Sequence, residues 1–191
     1  MYRPLVNSTP SSVLQGGCLA TALFLMVAPG SAMAVGINDD DTPPPASETT
    51  TDCAEGTVWD SKTESCVAPE DTSADQATLY NMARELAWAG RADDALRVLA
   101  RLEDDDKRLT YIGFVARKSG DWATAEQSYR AAIDRNPDNF LARSYYGQGL
   151  VERGDLVGAR TQLTEIRARG GRMTWPAVAL RLTLESGQSA Y

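Results

Sequence analysis

Residues 106–139 read DKRLTYIGFVARKSGDWATAEQSYRAAIDRNPDN, and residues 140–173 read FLARSYYGQGLVERGDLVGARTQLTEIRARGGRM. Laid over one another, the two stretches share a frame. Gly113, Gly120 and Ala125 recur 34 residues later as Gly147, Gly154 and Ala159, while Ile166 stands where Ala132 stood. Small residues such as Gly113, Gly147 and, further upstream, Ala83 let two helices of a hairpin approach closely, where a bulky side chain would wedge them apart. Gly120 and Gly154 fall where a helix has to stop and can take the left-handed cap conformation. Asp121 and Asp155 follow at once as N-caps of the next helix. Pro137 closes the first stretch because it cannot donate a backbone hydrogen bond to a continuing helix.

Upstream, Leu79, Met82, Ala83, Leu86, Gly90, Ala95, Leu99 and Leu102 fit the same frame more loosely. Gly90 and Gly120 are 30 residues apart rather than 34, so the second helix of this unit or its following turn is shortened. Leu79, Met82 and Leu86, and likewise Leu109, Ile112 and Ala116, have the i, i+3, i+7 spacing of a single apolar stripe. Downstream, Thr174 is placed to cap a helix opening on Trp175 and Pro176, with Ala177, Leu180 and Leu184 continuing its apolar face to Gly187.

The motif Leu109, Ile112, Gly113, Ala116, Gly120, Asp121, Trp122, Ala125, Tyr129, Ala132 and Pro137 resembles the tetratricopeptide repeat (TPR) pattern. That resemblance implies an all-α fold, a right-handed α-solenoid of about three helix hairpins followed by a C-terminal capping helix. The units are expected at 76–105, 106–139 and 140–173, with the cap at 174–187, inside a TPR domain spanning 73–187. In the family the first helices of successive units line a concave groove that holds a peptide or a partner protein. Carried over residue by residue, that surface comprises Tyr80, Arg84 and Trp88, then Lys107, Thr110, Phe114 and Arg117, then Ser144, Gln148 and Val151. The residues that clamp a C-terminal carboxylate in some repeats are replaced here by Tyr80/Arg84, Phe114 and Ser144/Gln148, which does not support that specialisation. Trp122, Tyr129 and Tyr146 fall on positions that pack between helices.

The rest of the chain bounds the setting. Residues 1–34 have the layout of an export signal peptide: Arg3, an apolar run from Cys18 to Ala28, and the cleavage triplet Ala32-Met33-Ala34. The expectation is a periplasmic or secreted protein without membrane insertion once the signal is removed; an uncleaved anchor is the competing reading. Between Gly36 and Asp52 the chain is rich in Asn, Asp, Pro, Ser and Thr and offers almost nothing apolar to bury, so a disordered linker is expected at 35–52. Cys53 and Cys66 bracket a strand-turn-strand pattern, and export places them in an oxidising compartment, which predicts a disulfide-closed hairpin at 53–67. Metal binding is the alternative for two cysteines, but the chain has no histidine and a zinc site lacks ligands. No metal and no cofactor are expected.

The net charge is −7, which argues against a nucleic-acid partner. The lack of histidine and of any nucleophile, phosphate-loop or metalloprotease motif argues against an enzyme. Two readings follow: a protein-binding scaffold of the cell envelope that uses the groove, and a structural or self-associating module that uses another surface.

Overall fold

Short acidic and amide side chains start the helices. Asp75, Asp105, Asp121, Asn139 and Asp155 each accept a hydrogen bond from a backbone N–H in the first turn of the helix that follows. Such a bond satisfies one of the N–H groups that a helix leaves unpaired at its start. Gly90, Gly120 and Gly154 end the preceding helices with φ of 79°, 84° and 81°, a left-handed geometry that costs glycine least. The result in this computed structural model, which describes residues 41–189, is a mainly helical chain.

A helical turn, α1 (Glu48–Thr51), precedes two short strands, β1 (Val58–Asp60) and β2 (Ser65–Val67). Seven longer helices follow: α2 (Gln76–Trp88), α3 (Ala92–Leu99), α4 (Asp106–Lys118), α5 (Trp122–Arg135), α6 (Phe140–Glu152), α7 (Leu156–Ala168) and α8 (Trp175–Ser186). Consecutive helices pack in pairs, α2 with α3, α4 with α5 and α6 with α7. The first helices also touch one another, α2 with α4, α4 with α6, and α6 with α8. The shortening of the first unit lies in its second helix: α3 has 8 residues where α5 has 14.

The repeated glycines sit at helix crossings. A Cβ on Gly113 would lie 2.7 Å from the ring of Tyr129 in α5, and one on Gly147 would lie 2.6 Å from Leu180 in α8. Trp122 and Tyr146 stack at 6.0 Å between α5 and α6, with Tyr129 beside them. The core runs from Val58 of the hairpin through Leu79, Leu86, Tyr111 and Tyr129 to Leu150 and Ala159, and a smaller apolar cluster joins α7 to α8 through Ile166 and Leu180.

Several expectations are corrected. In α4 the buried face carries Tyr111, Phe114 and Val115, whereas Leu109, Ile112 and Ala116 are only half-buried. The helix is flanked on more than one side, by α2, α5 and α6, so one three-residue stripe does not define its inner face. Thr174 holds the N-cap position of α8 but makes no side-chain cap; its hydroxyl donates to the Gly171 carbonyl at 2.7 Å. Residues 41–52 are not a free tether. Ser47 caps α1, Thr49 is buried, and Arg84 of α2 donates to the Thr42 carbonyl at 2.8 Å. Polar contacts, not apolar burial, fix this segment. The expected signal peptide at 1–34 and the start of the expected linker lie outside the described residues.

β1 and β2 pair antiparallel, with Val58 opposite Val67 and Trp59 opposite Cys66, and the Cys53–Cys66 disulfide closes the segment. Asp60 organises its turn: one carboxylate oxygen accepts from the Lys62 and Thr63 N–H groups, the other from Thr72 Oγ1 and the Ser73 N–H. Those N–H donors, Ser73 first and Thr63 next, hold the Asp60 carboxyl well below its usual 3.8. Arg91, at the start of α3, clasps the hairpin. Its guanidinium donates to the carbonyls of Thr49, Cys53, Ala54 and Thr57 and pairs with Asp94 at 2.6 Å.

Candidate functional site

The face carried over from the TPR resemblance is built from α2, α4 and α6. Tyr80, Arg84 and Trp88 are one turn apart on α2, a spacing that aligns side chains along one side of a helix. The Tyr80 ring meets Tyr111 edge-on at 5.7 Å, and Trp88 lies 5.4 Å from Phe114. Phe114 and Tyr111 both reach Tyr145 of α6, at 4.9 and 6.2 Å. Cations sit on these rings: Arg84 and Lys107 over Tyr80 at 5.7 and 5.1 Å, and Arg117 over Phe114 at 5.7 Å. Arg84 Nε also donates to the Tyr111 hydroxyl at 3.2 Å.

Polar links complete the set. Arg117 pairs with Glu152 at 2.6 Å and donates to Ser189 Oγ, which in turn donates to Gln148 Oε1 at 2.9 Å. Gln148 donates to Ser144 Oγ, and Ser144 to the Pro176 carbonyl. Eight of the ten residues carried over to this surface, Tyr80, Arg84, Trp88, Lys107, Phe114, Arg117, Ser144 and Gln148, thus belong to one connected network. Of the other two, Thr110 instead joins Asn139 and the Asp106 carbonyl at the foot of α4.

Exposure differs from the expectation of an open trough. Arg84, Thr110, Phe114, Arg117, Ser144 and Gln148 are buried, and Val151 with them; Tyr80 and Trp88 are half-buried, and Lys107 is exposed. Phe114, expected on the groove surface, is 1% exposed because three other aromatic rings enclose it. Two nitrogens of Arg117 and the Tyr129 hydroxyl are buried near one another, without a well-aligned hydrogen-bond partner among the described residues. Burial pushes the Tyr129 hydroxyl well above its usual 10.0, and the nearby Arg117 charge opposes the shift only in part.

The solvent-accessible end of this face is a cleft of about 300 Å³ between α2 and α4, lined by Tyr80, Asn81, Lys107 and Leu102 among others. Tyr111, Tyr145 and Ser189 were not singled out by the motif. Tyr145 follows Tyr111 by 34 residues, so the repeat period itself marks the pair. Ser189 has no comparable signal.

Among the described residues no group of side chains is arranged to hold a metal ion, and no helix is long and apolar enough to cross a membrane. No family model, curated protein or solved structure matches the chain.

Proposed function

We infer that this chain is a non-enzymatic, exported interaction scaffold of the TPR type, a right-handed α-solenoid that engages a peptide or partner protein through the face of α2, α4 and α6. What supports the reading is the coincidence of two independent features. Glycines one period apart occupy helix crossings, and side chains from three helices, separated by about that period, gather aromatic rings and cations on one face. Aromatic and arginine side chains are the usual anchors of protein interfaces. The accessible end, at Tyr80 and Lys107, is the entry point for a ligand with an aromatic or acidic anchor, and the buried rings behind it form a preorganised floor.

Photo-crosslinking residues placed at Tyr80 and at Lys107 in the native envelope test this. A discrete adduct is expected from both, and none from Gln127, which is exposed on α5. Equal labelling at all three positions, or none at Tyr80 and Lys107, rejects the face as the binding surface. A second reading, docking through the outer helices, draws on a different observation: Val157 is 74% exposed, with Leu156 beside it on α7. A crosslinker at Val157 that captures a second copy of the chain supports that reading instead.

A further inference from the structure

The residues that cross α2 ahead of the hairpin enclose a space of their own. Between Pro43–Pro45 and α1 on one side and Asn81, Met82 and Glu85 of α2 on the other lies a cavity of about 580 Å³, with Trp59 among its walls. This is within the size range of small-ligand sites, about 300–1,000 Å³.

Its charge is unbalanced. Glu85 lines the cavity and is 7% exposed. Its carboxylate accepts from the Ser47 N–H at 2.7 Å, from Ser47 Oγ at 2.6 Å and from Thr50 Oγ1, all neutral donors. A carboxylate offers about four acceptor positions, so one remains. No cationic side chain among the described residues pairs with Glu85. Glu48 lines the same space from α1; it is exposed, and its carboxylate makes no hydrogen bond or ion pair among the described residues. The lining cation, Arg84, spends its guanidinium on the Thr42 carbonyl, Asn81 Oδ1 and the Tyr111 hydroxyl. Two carboxylates therefore face one guanidinium that is committed elsewhere. A buried carboxylate lacking a counter-charge carries a desolvation penalty that a bound cation relieves, and a tryptophan face attracts cations.

We propose that this cavity is a binding site for an alkylammonium group, carried by a free amine or by the lysine side chain of another protein. The ammonium takes the open acceptor position of Glu85 and the field of Glu48. The alkyl stem lies against Met82, the prolines and Trp59. The volume exceeds what a bare metal ion needs, and the apolar walls suit a carbon chain.

Amide NMR titration of the oxidised full chain tests the site with n-butylammonium, the peptide acetyl-Gly-Lys-Gly-amide and the neutral 1-pentanol. Saturable shifts at Glu48, Thr49 and Glu85 are expected for both cations, with the alcohol roughly tenfold weaker. Trp59→Ala is expected to weaken butylammonium by about threefold to thirtyfold, with Trp59→Phe retaining most of the affinity. Glu48→Gln is expected to weaken it by about twofold to fivefold. Tighter binding of the peptide than of butylammonium assigns the ligand to a protein lysine; equal or weaker binding assigns it to a free amine. The proposal is overturned if neither cation gives a saturable shift, if pentanol binds as well as butylammonium, or if both the tryptophan and the glutamate substitutions leave the affinity unchanged.

Discussion

Gly113→Ala is the sharpest test of how the helices are held together. The added methyl would lie 2.7 Å from two ring atoms of Tyr129 and 3.1 Å from a third. Tyr129 is 0% exposed and packed against Tyr146, so its ring has nowhere to retreat. Overpacking of a well-filled core costs roughly 1–3 kcal/mol, and a rigid aromatic wall puts this site in the upper half of that range. Against it stands the better helix propensity of alanine, roughly 1 kcal/mol. The net expectation is a loss of about 1–2 kcal/mol, or roughly 3–6 °C in Tm for a domain of this size, read by urea and thermal unfolding with far-ultraviolet circular dichroism. Gly120→Ala is the control, because nothing lies within 4 Å of a Cβ there and only its φ of 84° penalises the change. In a Tyr129→Leu background the Gly113→Ala penalty should vanish or reverse, whereas the Gly120→Ala penalty should persist. If Gly113→Ala costs the same in both backgrounds, or stabilises the native protein, the crossing of α4 and α5 is not limited by this contact and the packing argument fails.

Three further outcomes are expected. Replacing Cys53 and Cys66 together by serine, which opens a loop of sequence separation 13, should lower stability by about 3 kcal/mol; an unchanged Tm with and without reductant would contradict this. Arg91→Ala removes the clasp on four carbonyls and the nearer of two cations from the buried Asp94, which keeps Arg97 at 3.6 Å and the Gly56 N–H, costing about 2 kcal/mol; amide exchange at Gly56 and Trp59 should quicken, and protection equal to wild type would show that the hairpin docks by other means. Asp60 has a folded pKa depressed below 3.8, so it favours the fold above that pH and loses this contribution as pH falls through 3.8 toward the depressed value. Acid unfolding followed by Trp59 fluorescence in a chain with the other tryptophans replaced should show the hairpin loosening in that window, and Asp60→Asn should flatten the dependence.

Local signals carried most of the helical architecture. A cap acts within three residues and a left-handed glycine within one, so the starts of α5 and α7 at Asp121 and Asp155 and the stops at Gly90, Gly120 and Gly154 could be placed without tertiary information. The partnering of Gly113 with Tyr129 was legible only as a small residue in a repeated frame, with its neighbour unnamed. What the chain does not display locally is how many sides of a helix are covered. From Leu141 to Val151 every residue of α6 is buried, because α4, α5, α7 and α8 surround it, and no stripe of the 3.6-residue period announces that. The same blindness put Phe114 on a surface and Leu109 inside. Residues 41–52 escape composition for a different reason: composition counts apolar area, whereas this segment is docked through Glu85, Arg84 and Arg91, whose partners lie more than 30 positions away.

Those long-range polar contacts also bear on how a short stack of helix pairs ends. Each pair buries its apolar side against the next, so the outermost pairs need a cover of some other kind. After α6 and α7, α8 lies in that place, with Leu180 against Gly147. At the other end α3 is short, and its first position is held by Arg91, which makes no side-chain cap for its own helix. The guanidinium gathers hairpin carbonyls instead, and Val58, 0% exposed, joins the core beside α2 and α3. On this reading the disulfide hairpin and α1 do for the first pair what α8 does for the last, by a polar clasp around one apolar plug. The two covers should then fail differently: reductant or Arg91→Ala should expose α2 and α3 while α6 to α8 keep their amide protection, and loss of protection throughout the stack would instead mean that the helices fold as one indivisible unit.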